Sequence, residues 1–194
     1  KGTEDWFNDV LTNGGTYVFT EDMTASKIIE ISATNPVVIN GNGKTITFTA
    51  NRGFRITKSN YVTIENATIV NNVKDGRCIE TRTGGINLTL NNVDLTATNG
   101  ASQPFTVGGS GNGITVDINN STITSGNGGY GITTFNPVAL NINNSTVSGY
   151  AALNIKAASG SEGSAGSVIN VTGSTLAGVN NWPGESNAFS TIML

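Results

Sequence analysis

Five short stretches of the chain repeat one pattern: an aliphatic residue, two polar positions rich in asparagine, a small pair, then a second aliphatic residue. They are 64–69 (IENATI), 90–95 (LNNVDL), 118–123 (INNSTI), 142–147 (INNSTV) and 171–176 (VTGSTL). Successive copies begin at Ile64, Leu90, Ile118, Ile142 and Val171, steps of 26, 28, 24 and 29 residues, and a degenerate copy at Ile39-Asn40-Gly41 lies 25 earlier. A period in the twenties predicts a solenoid with one coil per repeat, in which each coil buries its apolar face only by stacking on its neighbours.

Within each repeat the apolar period is two. Val62/Ile64, Leu88/Leu90, Ile114/Val116/Ile118, Val138/Leu140/Ile142 and Ile169/Val171 fall on one face of a strand, and Thr63, Asn87, Thr89, Thr115, Asp117, Asn141 and Asn170 on the other. Beyond the Asn-rich bend the alternation resumes through Ile69, Leu95, Ile123, Val147 and Leu176. A third short strand follows a variable loop, at 54–57, 78–81, 104–107, 131–134, 153–156 and 189–192. Stacked in parallel about 4.8 Å apart, such strands make long sheets around one apolar interior. This pattern resembles the right-handed parallel β-helix of the pectate-lyase-like superfamily over nearly the whole chain. The expected fold is all-β, about six to seven coils behind an N-terminal capping helix.

At the bends, Asn66, Asn92, Asn120 and Asn144 are expected to take positive φ and to hydrogen-bond up the stack as a structural ladder, with Gly41 and Gly173 at its ends. Residues 1–20 are read as a cap. Glu4 and Asp5 suit the positive end of a helix, Trp6, Phe7, Val10 and Leu11 share one face, and Asn13-Gly14-Gly15 ends it before a strand at 16–20. Residues 21–194 form the β-helix, with the cap part of the same domain. The stop at Thr191-Ile192-Met193-Leu194 suggests a further domain or an oligomeric partner.

Composition narrows the partners. The chain is 37% hydrophobic and 12% charged, with net charge −3 and no histidine. No overall basic field attracts nucleic acid or anionic lipid. Apolar runs fall far short of the roughly 20 residues of a membrane span. One cysteine, Cys78, excludes an internal disulfide framework and zinc clusters, and its scarcity fits chance as well as an exported bacterial protein, whose signal was removed or left out.

The resemblance also implies activities to test against the residues. Polygalacturonase-type members use paired aspartates and a Gly-His-Gly motif, and this chain has neither. Pectate-lyase-type members hold Ca²⁺ with several carboxylates on the third-strand sheet and use Arg or Lys as base. The matching strands offer Arg55, Glu80 and Lys156, while Asp94 and Asp117 are isolated. Corners at 50–53, 71–77, 97–103, 125–130 and 148–151 are too short to wall a deep cleft. No catalytic residue, metal or cofactor is therefore assigned.

Two surface clusters are ligand candidates. Arg52, Arg55, Lys58, Lys74, Arg77 and Arg82 fall in two neighbouring coils and suit the carboxylates or sulfates of an acidic glycan, or form a solvated face that pairs locally with Glu65, Asp75 and Glu80. Register there is expected to put Ile79 inward and Cys78, Glu80 and Arg82 outward, since an inward unpaired Glu80 is costly. Tyr130, Tyr150 and Trp182 precede the third strand in successive coils, where they either stack on sugar rings or cover the corner. Outward threonines such as Thr45/Thr47, Thr122/Thr124 and Thr146 resemble ice-binding faces, but Val70, Asp94 and Ala177 interrupt them. The expected function is a non-catalytic, exported, adhesin-like or carbohydrate-binding surface module. A polysaccharide lyase acting at the basic patch is the alternative, and ice binding a remote one.

Overall fold

The computed structural model describes residues 3–126, 128–156, 163–178 and 191–194. Helix α1 (Thr3–Asn13) opens the chain. Phe7, Val10 and Leu11, spaced to share a face, are buried in the first coil. Trp6, expected on that face, remains 44% exposed and rests its ring against Tyr17, centroids 5.2 Å apart. Gly14, at φ 94°, donates its N–H to the Val10 carbonyl and ends the helix.

The first coil is β1 (Gly15–Val18), β2 (Met23–Ala25) and β3 (Ile29–Ile31). In the next three coils the first two strands run on through the corner as one long strand: β4 (Val37–Phe48) with β5 (Arg52–Ile56), β6 (Tyr61–Asn71) with β7 (Arg77–Thr83), and β8 (Asn87–Ala97) with β9 (Phe105–Ser110). The corner then separates them again. The last coils are β10 (Ile114–Asn119), β11 (Thr122–Ser125) and β12 (Tyr130–Thr134), then β13 (Val138–Asn143), β14 (Thr146–Gly149) and β15 (Ala151–Ile155), then β16 (Val168–Thr172), β17 (Thr175–Gly178) and β18 (Ile192–Met193). All pairings are parallel, in one 11-stranded sheet bent at the corner and one 7-stranded sheet built from the third strand of each coil. Among the described residues the result is an all-β parallel β-helix of about six turns, the last of the seven coils being described only in part, with one N-terminal helix.

Register stacks like residues on like. Val37, Val62, Leu88, Val116, Leu140 and Ile169 form one interior column. Ile46, Ile69, Leu95, Ile123, Val147 and Leu176 form another, and Phe54, Ile79, Phe105, Ile132 and Leu153 line the 7-stranded sheet. Burying one such side chain is worth roughly 1.5–3 kcal/mol, and each is covered only because the coils on both sides exist. In the last described coil Ile169 and Leu176 are half-covered and Val171 is 42% exposed.

The bend motif divides its labour residue by residue. Asn66, Asn92, Asn120 and Asn144 have φ of 53°, 53°, 50° and 49°, and Gly173 continues the column at 58°. At the other end the left-handed residues are Asn42 (52°) and Gly43 (75°), not Gly41, because three residues stand opposite Asn66 where Asn40 pairs with Glu65 and Lys44 with Ala67. Gly41 is there for space: a Cβ would lie 2.5 Å from that of Ala67. Asn92 Nδ2 donates a hydrogen bond to Asn66 Oδ1 at 3.0 Å, but in later coils such bonds run through the preceding asparagine, Asn119 Nδ2 to Asn91 Oδ1 at 2.8 Å and Asn143 Nδ2 to Asn119 Oδ1 at 3.0 Å. The serine after the left-handed residue makes a third, buried ladder. Val93 N–H donates to Ser121 Oγ (3.0 Å), Ser121 N–H to Ser145 Oγ (3.0 Å) and Ser145 N–H to Ser174 Oγ (2.9 Å).

Ile79 points inward, in register with Phe54, but Cys78 does not point outward as expected. Cys78 N–H and Ile79 N–H both donate to the Pro104 carbonyl, at 2.9 and 3.0 Å, a bulge that suspends alternation and turns both side chains in. The Cys78 thiol lies 3.5 Å from Ile69 O and 3.4 Å from Thr96 O.

Candidate functional site

The outward positions of the 7-stranded sheet read Glu30, Arg55, Glu80, Thr106, Thr133 and Asn154 in register. Glu80 faces outward, yet it is 1% exposed, because arginines cover it. Arg55 Nε donates to its Oε1 at 2.6 Å and Arg77 Nη1 to its Oε2 at 2.8 Å, with Arg52 Nε 3.5 Å from Oε2. Arg55 also reaches the exposed Glu30, at 3.8 Å. Three guanidiniums thus share one buried carboxylate. Burial, followed by repulsion from Arg77, lowers the Arg52 pKa from its ordinary value against the pull of Glu80. Arg82 projects two residues beyond Glu80 and is exposed, as is Lys58, beyond β5. The patch therefore holds more positive than negative charge even after its internal pairing.

Arg52 and Arg77 are register partners at the edge of this face. The backbone continues the same step from coil to coil: Gln103 N–H donates to Gly76 O at 3.0 Å, Tyr130 N–H to Ser102 O at 3.1 Å and Tyr150 N–H to Gly129 O at 2.8 Å. Arg52 and Arg77 of one candidate cluster and Tyr130 of the other consequently share one stripe, Arg52, Arg77, Gln103, Tyr130, and Tyr150 stands one residue before Ala151, the register partner of Tyr130. The tyrosine rings meet edge-on with centroids 6.1 Å apart, and burial, then the proximity of Tyr150, raises the Tyr130 pKa. Thr106, Thr133 and Asn154 lie beside them, all buried. Across the face Lys156 Nζ sits 5.8 Å from the Phe135 ring centroid. Trp182 lies outside the described residues.

Glu80 is the residue whose role the sequence reading underestimated. The signal was present, since Arg55 and Glu80 are one coil apart, 25 residues. The threonines fall in register, Thr45, Thr68, Asp94, Thr122, Thr146 and Thr175, beside a shallow recess of about 410 Å³ lined by Asn40, Asn66, Asn92 and Asp94. Among the described residues no three His, Cys, Asp or Glu side chains converge as metal ligands, and no helix is long and apolar enough to cross a membrane. Burial pushes the Cys78 thiol up to about 12, so it supplies no thiolate at neutral pH.

These features define a parallel β-solenoid with a side face that is cationic at one end and aromatic at the other. No protein-family model, curated protein or solved structure matches the chain. The likeness to the pectate-lyase-like superfamily accordingly rests on repeat and strand pattern alone.

Proposed function

We propose that this chain is a non-catalytic, exported bacterial surface module, adhesin-like, that holds a carbohydrate bearing carboxylate or sulfate groups along the part-exposed edge of its 7-stranded sheet, where Arg52, Arg77, Gln103 and Tyr130 follow one another beside the buried Thr106 and Thr133. The observation that carries this reading is the continuity of Arg52 and Arg77 with Tyr130 along one edge, the Tyr130 ring meeting that of Tyr150. A guanidinium has five N–H donors, and pairing with Glu80 occupies only part of each fork. Arg52, Arg55 and Arg77 are held in place by that carboxylate before any ligand arrives, which lowers the ordering cost of gripping an anion. The tyrosines supply flat apolar area for sugar rings.

The test must respect the pairing. Removing arginines alone strands the buried Glu80, so Arg55→Gln, Arg77→Gln and Glu80→Gln are combined in one variant that keeps the fold. Binding to a polyuronate or a sulfated glycan should fall, most steeply at low salt, while binding to neutral glycans is unchanged. Tyr150→Ala should weaken both. Unaltered binding of acidic glycans by the triple variant would discard the reading. Unsaturated product released by the parent protein, detected by ultraviolet absorbance, would replace it with a lyase.

A further inference from the structure

Helix α1 packs on β1 and β3, and on the third side of the first coil Met23 and Ala25 of β2 stay half-covered. There β2 pairs with β4 on one side and, among the described residues, with no strand on the other. Between the helix and this free edge lies a groove of about 500 Å³. Its floor is Phe7, Phe19, Met23 and Ala25. The interior columns end here: Ile46 and Phe48 are fully buried, but their register partners Met23 and Ala25 are only half-covered.

The backbone at this edge is ready to pair. Ala25 O accepts the Thr49 N–H at 2.9 Å, so Ala25, and Met23 two residues before it, direct their polar groups toward β4. By the alternation of a parallel ladder, Thr24 turns its N–H and C=O to the open side. Among the described residues the rim carries Glu4, Glu21 and Asp22 against Lys27. A small apolar molecule would use the floor but neither the free edge nor the acidic rim.

The geometry points to this groove as a docking site for one extended peptide strand of alternating apolar and basic residues, added in line with β2. Its apolar side chains stack on Met23, Ala25, Phe7 and Phe19 as the next coil would. Its backbone pairs with Thr24, and its basic side chains face Glu4 and Glu21. This mode draws affinity from main-chain bonds and specificity from alternate side chains.

The experiment titrates the protein with an end-blocked peptide alternating valine and lysine, by calorimetry. Saturable one-to-one binding is expected, weakened about tenfold when glutamate replaces lysine, a charge effect of roughly 1.4 kcal/mol. Thr24→Pro removes the free donor without touching the ladder to β4, and proline is tolerated on an edge strand. It should weaken binding with thermal unfolding unchanged. Should that variant fold poorly, methylating alternate backbone nitrogens of the peptide removes the same pairing from the ligand side. Glu4→Gln with Glu21→Gln should reduce both affinity and its salt dependence. Asp22 is left intact because its Oδ1 accepts the Thr45 N–H at 2.9 Å. No saturable binding of the lysine peptide, or binding indifferent to both Thr24→Pro and peptide methylation, overturns strand addition.

Discussion

The Ser121 hydroxyl accepts the backbone N–H of Val93, one coil away, at 3.0 Å, and donates in turn to Asn119 O at 2.8 Å. The first contact is buried, where water cannot substitute, and the second is part-buried. Ser121→Ala leaves the Val93 amide without a partner and should destabilise the protein by about 1–3 kcal/mol. Urea denaturation measures it. A midpoint unchanged from the parent would show that the hydroxyl ladder is incidental.

Asn120 at φ 50° makes a different demand on its corner. Asn120→Leu should cost about 1–2 kcal/mol from backbone strain, whereas Asn120→Gly should change stability little. Equal losses for the two replacements would assign the cost to the lost amide instead of the dihedral.

How much of this was readable beforehand differs sharply between fold and site. The coil, the inward columns and the left-handed asparagines follow from period and residue type, because stacking makes each coil a copy of its neighbour. Ser121, Ser145 and Ser174 enter the repeat pattern only as members of its small pair, since a hydroxyl's partner across a corner depends on three dimensions. Cys78 was placed outward because strict alternation was assumed, and the bulge at Pro104 breaks it. Arg52, Arg77 and Tyr130 all stand out in the sequence, but only the register joins them into one stripe and places Glu80 beneath the arginines.

Glu80→Ala removes the counterion shared by Arg52, Arg55 and Arg77. Leaving those half-covered cations crowded together should cost roughly 3 kcal/mol. Adding Arg55→Gln to the same chain should recover part of it, read as a positive coupling in a thermodynamic cycle. Strict additivity of the two changes would mean that the pair does not interact.

Cys78 carries a pH signature. Its thiol is pushed by burial up to about 12, above its value in the unfolded chain. The unfolded state therefore loses its proton first as pH rises, and the stability due to the neutral buried thiol is complete below the unfolded pKa and lost as pH climbs toward about 12. The slope should approach 1.4 kcal/mol per pH unit, roughly, across that window. Cys78→Ala should flatten this part of the alkaline limb, and an iodoacetamide derivative should form only after unfolding. Labelling of the native protein at neutral pH would contradict the burial of the sulfur.

The stripe that runs from Arg52 to Tyr130 advances by one strand spacing per coil, about 4.8 Å. Its side chains differ in chemistry, but their separation is set by backbone hydrogen bonds that side-chain substitution leaves in place. The face is thus a ruler with fixed graduations and exchangeable marks: a polymer laid along it is measured by its repeat distance first, and by its functional groups second.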